Sequence, residues 1–371
     1  MPRVNLPSAD MSSVYLLRYS RNPNVFEGLR GFVNLLSEVI SKGDKVAVKL
    51  HMGELGNPHY LRPALVRRVV DLVKELGGKP FVTDTTTLYP LGRFTEKAYL
   101  ETAAHNGFTR DTMGVPVVIA DGSGYGAVVE KPAKLVSGCD LRGVEVAGAV
   151  AEADCMVVLT HFKGHILTGF GGALKNVGMG CVTKRSKSDQ HVVNRPVLDG
   201  GLCTGCGKCV QSCVYGALSM EGGKPFMDLE KCVSCNMCRI ACPNGAWRLP
   251  EGSKERLQVY VAHAASAVSR VLEGRVVYVN FVQDVTVLCD CRPSGSPRVV
   301  EDVGVAASLD PVAVDKASMD LVDGSELLGG FRRFAGVRDV LGSIHEVDST
   351  VQLRTAEKIG LGSTDYTLIE V

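Results

Sequence analysis

Eight of the thirteen cysteines lie between Cys203 and Cys242, in two copies of one rhythm. Cys203, Cys206, Cys209 and Cys213 follow the spacing C-x2-C-x2-C-x3-C, and Cys232, Cys235, Cys238 and Cys242 repeat it. Three thiolates two residues apart on a tight loop can take three corners of one cubane, while the fourth, opening a helix, reaches a second cluster. The spacing predicts two [4Fe-4S] clusters with exchanged ligands. Cys203, Cys206, Cys209 and Cys242 would hold the first, and Cys232, Cys235, Cys238 and Cys213 the second. Zinc ribbons pair C-x2-C units without a third and fourth cysteine in this rhythm. Disulfide frameworks belong to short secreted chains. Val214 stands after Cys213 where proline is usual, whereas Pro243 follows Cys242; proline shapes the turn and binds no iron, so the ligand sets are unaffected.

At 371 residues the chain leaves most of its length for something other than cluster binding. That is enough for one large α/β domain or two smaller ones. Lys plus Arg number 41 against 40 Asp plus Glu, so no strong field points to nucleic acid or a membrane surface. Met1 to Ser13 lack the apolar run of a signal peptide, and no apolar span of membrane-crossing length occurs. Oxygen-sensitive clusters and five further cysteines fit a reducing compartment. The expectation is a cytoplasmic protein of an anaerobe, with no nucleic-acid or membrane partner.

Apolar and amphipathic segments alternate on either side of the cysteines. The pattern predicts strands at 14–19, 45–50, 80–84, 116–121 and 154–160, with helices at 25–41, 63–76 and 95–106 between them. Beyond the cysteines it predicts a helix at 255–272, strands at 275–282 and 299–305, and a helix from Asp310-Pro311 to Val322. The class is therefore α/β: a mainly parallel, Rossmann-like sheet covered on both faces, with an inserted bacterial-type two-cluster ferredoxin module of α+β type. Residues 1–194 and 251–371 would form the α/β part and 195–250 the insertion, whose ends must leave and return close together. Ligands of such sheets gather beyond the carboxyl ends of the strands. That puts His51, Asp84 to Thr87, Asp121 and His161 on one rim.

A second constellation runs from Thr160 to Gly180. It holds His161, Lys163, His165, Gly169, Gly171, Gly172, Lys175 and Asn176 after a buried strand. Glycines let main-chain amides face an anion and lysine adds a point charge, so a phosphate-bearing cofactor such as a flavin, or another anionic organic ligand, is the physical reading. Histidine can add proton transfer or metal ligation. Lys184, Arg185, Lys187 and His191 extend the cationic wall. The plainer alternative is a glycine-rich loop that only packs a helix onto the sheet.

The segments LHMGELGN (50–57), FVTDTTTLY (81–89), VIADG (118–122), THFKGHILTGFGGALKNVGMG (160–180), NFVQDVTVLCDC (280–291) and SLDPVAVDKASMDLV (308–322) resemble family 362 of the domains of unknown function. More specifically they are similar to its ferredoxin-bearing, iron–sulfur members. That resemblance implies a cytoplasmic iron–sulfur protein and no particular reaction. The stretch His165…Gly169-Phe170-Gly171-Gly172…Lys175 is also faintly similar to the lactate racemase family, whose members hold a nickel-pincer cofactor. It implies His165 as acid/base, Lys175 as cofactor anchor and His191 as a metal ligand. Two departures stand beside it: no matching arginine follows Asp84, and those racemases carry no ferredoxin insert.

Cys289-Asp290-Cys291 offers two thiols that bind a soft metal, form a reducible disulfide, or lie buried and inert. Cys139, Cys155 and Cys181 read as core residues. Asp315 and Lys316 form either a helix-surface pair or part of the pocket. Asp84 with its threonines suits a metal, ribose hydroxyls or a simple cap. The expectation is an iron–sulfur oxidoreductase whose clusters pass single electrons to a small-molecule ligand near His161–Lys175. His161, His165 and Lys175 would be catalytic, with Lys163, Asn176, Asp84, His191 and the glycines holding the ligand. The alternatives are an electron carrier or maturation factor docking to a redox partner protein, or a metal-dependent isomerase-like enzyme. A homodimer is compatible with either.

Overall fold

One eight-stranded sheet organises the chain in this computed structural model, which describes residues 11–371. The leader reading over residues 1–10 lies outside the described residues. Across the sheet the strands run Tyr366–Glu370, Ser12–Arg18, Gly304–Ser308, Val276–Val282, Cys155–His161, Lys45–Lys49, Lys79–Asp84 and Val117–Ile119. Neighbours are parallel except on the two flanks of Gly304–Ser308, which runs against both of its partners. The protein is thus mixed α/β with a large, mainly parallel central sheet.

The strands are apolar on both faces because both faces are covered. Cys155, Val157 and Leu159 face one core with Val46, Val48, Val277 and Val279. Met156 and Val158 face the other with Ala47 and Tyr278. Helices Pro63–Glu75 and Glu96–His105 bury side chains in the first core. Ser253–Val271, Pro311–Asp323 and Thr350–Lys358 bury theirs in the second.

Several elements depart from the sequence expectation, the unforeseen helices Lys184–His191 and Thr350–Lys358 among them. The helix expected at 25–41 is broken into Val25–Gly28, a 3-10 turn Leu29–Phe32 and Val33–Ser37. Gly28 ends the first piece, and a Cβ there would lie 2.5 Å from a Leu17 methyl, which would have to turn aside. The strand expected at 299–305 begins instead at Gly304, and Val299 and Val300 are buried in the loop before it. The glycine-rich loop after His161 is a ribbon, with Lys163–His165 paired antiparallel to Gly169–Gly171. The edge strand Tyr366–Glu370 was not foreseen, because Leu368 and Ile369 are exposed and carry no apolar pattern of a covered strand.

The cysteine segment leaves and returns through Val197–Leu198 and Trp247–Arg248, which pair antiparallel. Between them stand the ribbon Leu218–Glu221 with Lys224–Met227 and the short helices Lys208–Gln211 and Met237–Ala241. Cys209, Leu218, Cys238 and Trp247 form its own small core. Among the described residues no helix is long and apolar enough to cross a membrane.

Candidate functional site

Strands Lys45–Lys49, Lys79–Asp84 and Cys155–His161 end at one rim, and a buried ion pair sits there. Lys49 lies 2.9 Å from Asp84 Oδ1, both almost wholly removed from water. Lys49 also donates to Asn176 Oδ1 at 2.7 Å, and the Tyr99 hydroxyl donates to Asp84. Burial pushes the Asp84 carboxyl up, but the charges of Lys49 and Arg93 outweigh it and hold the group below its ordinary range. Asp84 is therefore committed to Lys49 and Tyr99. Asp121, the other rim carboxylate, accepts from the Thr86 backbone and hydroxyl at 2.8 and 2.6 Å.

A second carboxylate, Asp290, gathers the next group. Its Oδ1 lies 2.9 Å from His161 Nδ1, while Oδ2 has no hydrogen-bond partner and lies 3.5 Å from Lys163 Nζ and 3.7 Å from His51 Nδ1. His161 Nε2 faces the carbonyls of Gln283 and Asp284, each at 3.0 Å. Both ring nitrogens of His161 are thus engaged by the fold. His51 is different. Its Nδ1 accepts the Gly53 N–H at 3.0 Å, leaving the proton on a buried Nε2 that has no partner. Burial, then Arg93, drives the His51 pKa well below the usual histidine range, so the ring is neutral.

Lys175 joins this group from the helix that follows the ribbon. Burial, reinforced by Lys163 and Arg93, pushes its ammonium down to about 7. Among the described residues no carboxylate lies within ion-pair reach of it. His165 and His191 are both neutral beside it, lowered first by burial and then by Lys175; His191 falls to about 4. His165 Nδ1 sits 3.0 Å from Thr168 Oγ1, and His191 Nδ1 is buried without a partner. Lys187 lies deeper, donating to Thr85 Oγ1, Thr86 O and Val182 O at 2.6, 2.6 and 3.0 Å.

The glycines divide by role. Gly171 stands opposite Lys163 in the ribbon, and a Cβ there would reach Lys163 Cε at 3.6 Å and Lys175 Cδ at 3.7 Å, so it borders the lysines. Gly169, at φ +72°, packs on Ser349. Gly172 faces a carboxylate of the protein itself: a Cβ would lie 2.3 Å from Asp315 Oδ1. Asp315 accepts the Ala173 and Leu174 N–H groups at 2.6 and 2.9 Å and the Asn280 amide at 2.7 Å. The amides expected to meet a ligand's phosphate thus already hold an anion. Lys316 pairs on the surface with Asp320.

Sequence reasoning missed Lys49, Arg93 and Glu54. Arg93 is buried, ion-paired to Glu54 Oε2 at 3.1 Å and bonded to the Tyr89 hydroxyl. A lysine closing the run Val46-Ala47-Val48 was the available signal for Lys49; Arg93 carried none. Cys139, Cys155 and Cys181 are buried and free. Cys289 and Cys291 are joined as a disulfide in a loop, and Asp290 between them faces Lys163.

In the cysteine segment the eight thiols line two separate cavities. Cys203, Cys206, Cys209 and Cys242 line one cavity with Leu198 and Trp247. Cys213, Cys232, Cys235 and Cys238 line another with Tyr215 and Met227. The second lies against the sheet domain. Tyr215 donates to Leu88 O at 2.7 Å and meets Phe94 edge-on, and Arg195 donates to Cys232 O at 3.2 Å. Leu88 and Phe94 bracket the turn that carries Arg93. Among the described residues no three or more His, Cys, Asp or Glu side chains close on a single metal ion.

The model of the family described as Domain of unknown function (DUF362) matches residues 46–320. No protein of curated function matches the sequence. Among solved structures, the lactate racemase apoprotein from Thermoanaerobacterium thermosaccharolyticum is similar at 13% identity over 76% of this chain and 53% of that one, with a TM-score of 0.34. A protein from Thermotoga maritima is similar at 14% identity over 70% of this chain and 51% of that one, with a TM-score of 0.37. The chain spans about half the length of either.

Proposed function

The chain belongs to the DUF362 family, and from that premise we propose that it is an iron–sulfur redox enzyme acting on a small organic anion in the Lys163–Lys175 cleft. The observation that carries this reading is the partition of eight cysteines into two quartets, each around its own cavity, with Cys213 and Cys242 exchanged between the halves. Four thiols spread around a cavity suit a multi-iron group better than one zinc, which needs its ligands on a point. [4Fe-4S] clusters in these cavities would supply single-electron transfer. The chain's own residues do the rest. Lys175 and Lys163 attract the anion, a flavin-like phosphate or a carboxylate. His165, neutral and next to Lys175, is placed to carry a proton. His51 and His191 each offer a buried ring nitrogen that a ligand can satisfy.

Anaerobic purification tests this directly, with iron, nickel and acid-labile sulfide counted and everything released on denaturation identified by mass spectrometry. Iron and sulfide near eight atoms each per chain, the content of two cubanes, with a bound organic anion, support the reading. Zinc or bare thiols in the quartets would overturn it, and nickel would point to isomerase-like chemistry.

A second reading rests on exposed apolar side chains of the cysteine segment, including Val214, Phe226 and Ile240. They suit an electron carrier or maturation factor that docks to a redox partner. A stable partner recovered under anaerobic conditions, with no organic ligand in the cleft, would favour it.

A further inference from the structure

The Cys289–Cys291 disulfide is not used by the reading above. It encloses a single residue, Asp290, and that residue is the anchor of the cleft. The Asp290 carbonyl accepts the Glu54 N–H at 2.9 Å, and its carboxylate meets His161 and Lys163. The two half-cystines are unequal. Cys289 is buried, whereas Cys291 is partly exposed and opens onto the exposed turn Arg292–Gly295. A reagent arriving from solvent therefore meets the Cys291 sulfur first.

We infer that Cys289 and Cys291 are a thiol-exchange site for a dithiol reductant, and that opening their bond releases Asp290 from Lys163. A thiolate of the dithiol attacks Cys291 Sγ; the new S–S bond forms as the Cys289–Cys291 bond breaks, and Cys289 leaves as thiolate. The second thiol of the reagent then displaces Cys291. The dithiol ends as a disulfide, oxidised by two electrons. The protein pair ends as two thiols, having taken up two electrons and the reagent's two protons. The closed ring fixes the backbone on both sides of Asp290. Once it opens, that backbone is tethered only by the Glu54 N–H on the Asp290 carbonyl, and of the carboxylate's own contacts Lys163 is the weaker at 3.5 Å against 2.9 Å for His161. The inference concerns only this loop and stands whether or not the cysteine quartets hold iron.

The test uses the full chain, purified anaerobically and equilibrated with dithiothreitol and its oxidised form at a series of ratios. Alkylation and peptide mass spectrometry should show Cys289 and Cys291 gaining two labels together and reversibly, while buried Cys139, Cys155 and Cys181 stay unlabelled. In parallel, an amine reagent should modify Lys163 several-fold faster in the reduced protein, because an ammonium without Asp290 sheds its proton more readily. Lys187, held by three oxygen acceptors, is the internal reference and should not change. The Cys289→Ser/Cys291→Ser double variant should label Lys163 at the reduced-state rate. A pair that resists the reductant until the protein unfolds, or Lys163 labelling that is equal in the two states, would overturn the inference.

Discussion

Asp315 caps the helix that begins at Ala173, its carboxylate accepting the Ala173 N–H at 2.6 Å from across the second core. Leu174 and Asn280 donate to the same group, and Gly172 is the residue whose missing side chain makes room for it. The positive end of that short helix is thus satisfied from within. Asp315→Ala would strand three buried donors at roughly 1–3 kcal/mol each, less than additively. The expected loss is on the order of 4 kcal/mol, read as a lower urea midpoint. Asp315→Asn, which keeps one acceptor oxygen, should lose well under half of that. Equal stability of Asp315→Ala and the parent would show that the cap is dispensable.

The Lys49–Asp84 pair should behave as a buried pair and not as a surface one. Lys49→Met leaves Asp84 buried with only Tyr99 as a partner, and removing one member of such a pair costs roughly 3–5 kcal/mol. Lys49→Met/Asp84→Asn removes both charges and should recover part of the loss. A double-mutant cycle in urea measures this, and a coupling energy near zero would refute it.

Much of the fold was legible because buried parallel strands are continuous apolar runs, and Val276–Val282 and Cys155–His161 could hardly be anything else. Strand direction was not legible. Nothing in Gly304-Val305-Ala306-Ala307-Ser308 says that it runs against both neighbours, since direction is decided by where the preceding loop emerges. The grouping of the cysteines was readable from their doubled spacing, and the two groups line separate cavities. The site was readable in the stretch from His161 to Lys175, where charged and imidazole side chains crowd together in sequence, and in the rim residues His51 and Asp84 at strand ends. Asp290, Arg93 and Lys49 arrive from distant segments, and a single charged residue gives no sign of its partner. The role of Asp315 was hidden for the same reason: the glycine loop suggested an anion site, and the anion was supplied some 140 residues further on.

Lys175 should be a stability liability retained for function. Its ammonium falls from 10.5 to about 7 in the folded protein, so the folded state resists the proton that the unfolded chain accepts. The penalty is full below pH 7 and fades as pH rises toward 10.5, where both states are neutral. Each pKa unit corresponds to about 1.4 kcal/mol. Lys175→Met should therefore stabilise the protein by a few kcal/mol at pH 6, with the gain vanishing near pH 10. The same variant should lose affinity for inorganic phosphate or sulfate, which the parent should itself lose as pH rises through 7. Thermal unfolding across pH, with and without phosphate, measures both. A variant less stable than the parent at pH 6 would show that Lys175 is paired after all.

Removing metal should unravel one part of the molecule and spare the other. The segment from Val197 to Arg248 has a small buried cluster of Cys209, Leu218, Cys238 and Trp247, with Ala217 and Ala246 also buried, and two of the cluster's four members are cysteines of the quartets. Its helices, Lys208–Gln211 and Met237–Ala241, are a single turn or little more. So small a core does not offset the backbone entropy of some fifty residues, and small domains of this kind lean on bound metal. The sheet domain has two extensive cores and needs none. Hydrogen exchange followed by mass spectrometry should show amides of residues 197–248 exchanging within seconds after chelation under air, while Cys155–His161 and Val276–Val282 remain protected. The joint at Tyr215 and Leu88 should open with the segment, exposing Phe94 to solvent. Equal protection of residues 197–248 before and after chelation would mean that the fold of the segment does not depend on metal, and the cubane assignment would lose its energetic basis.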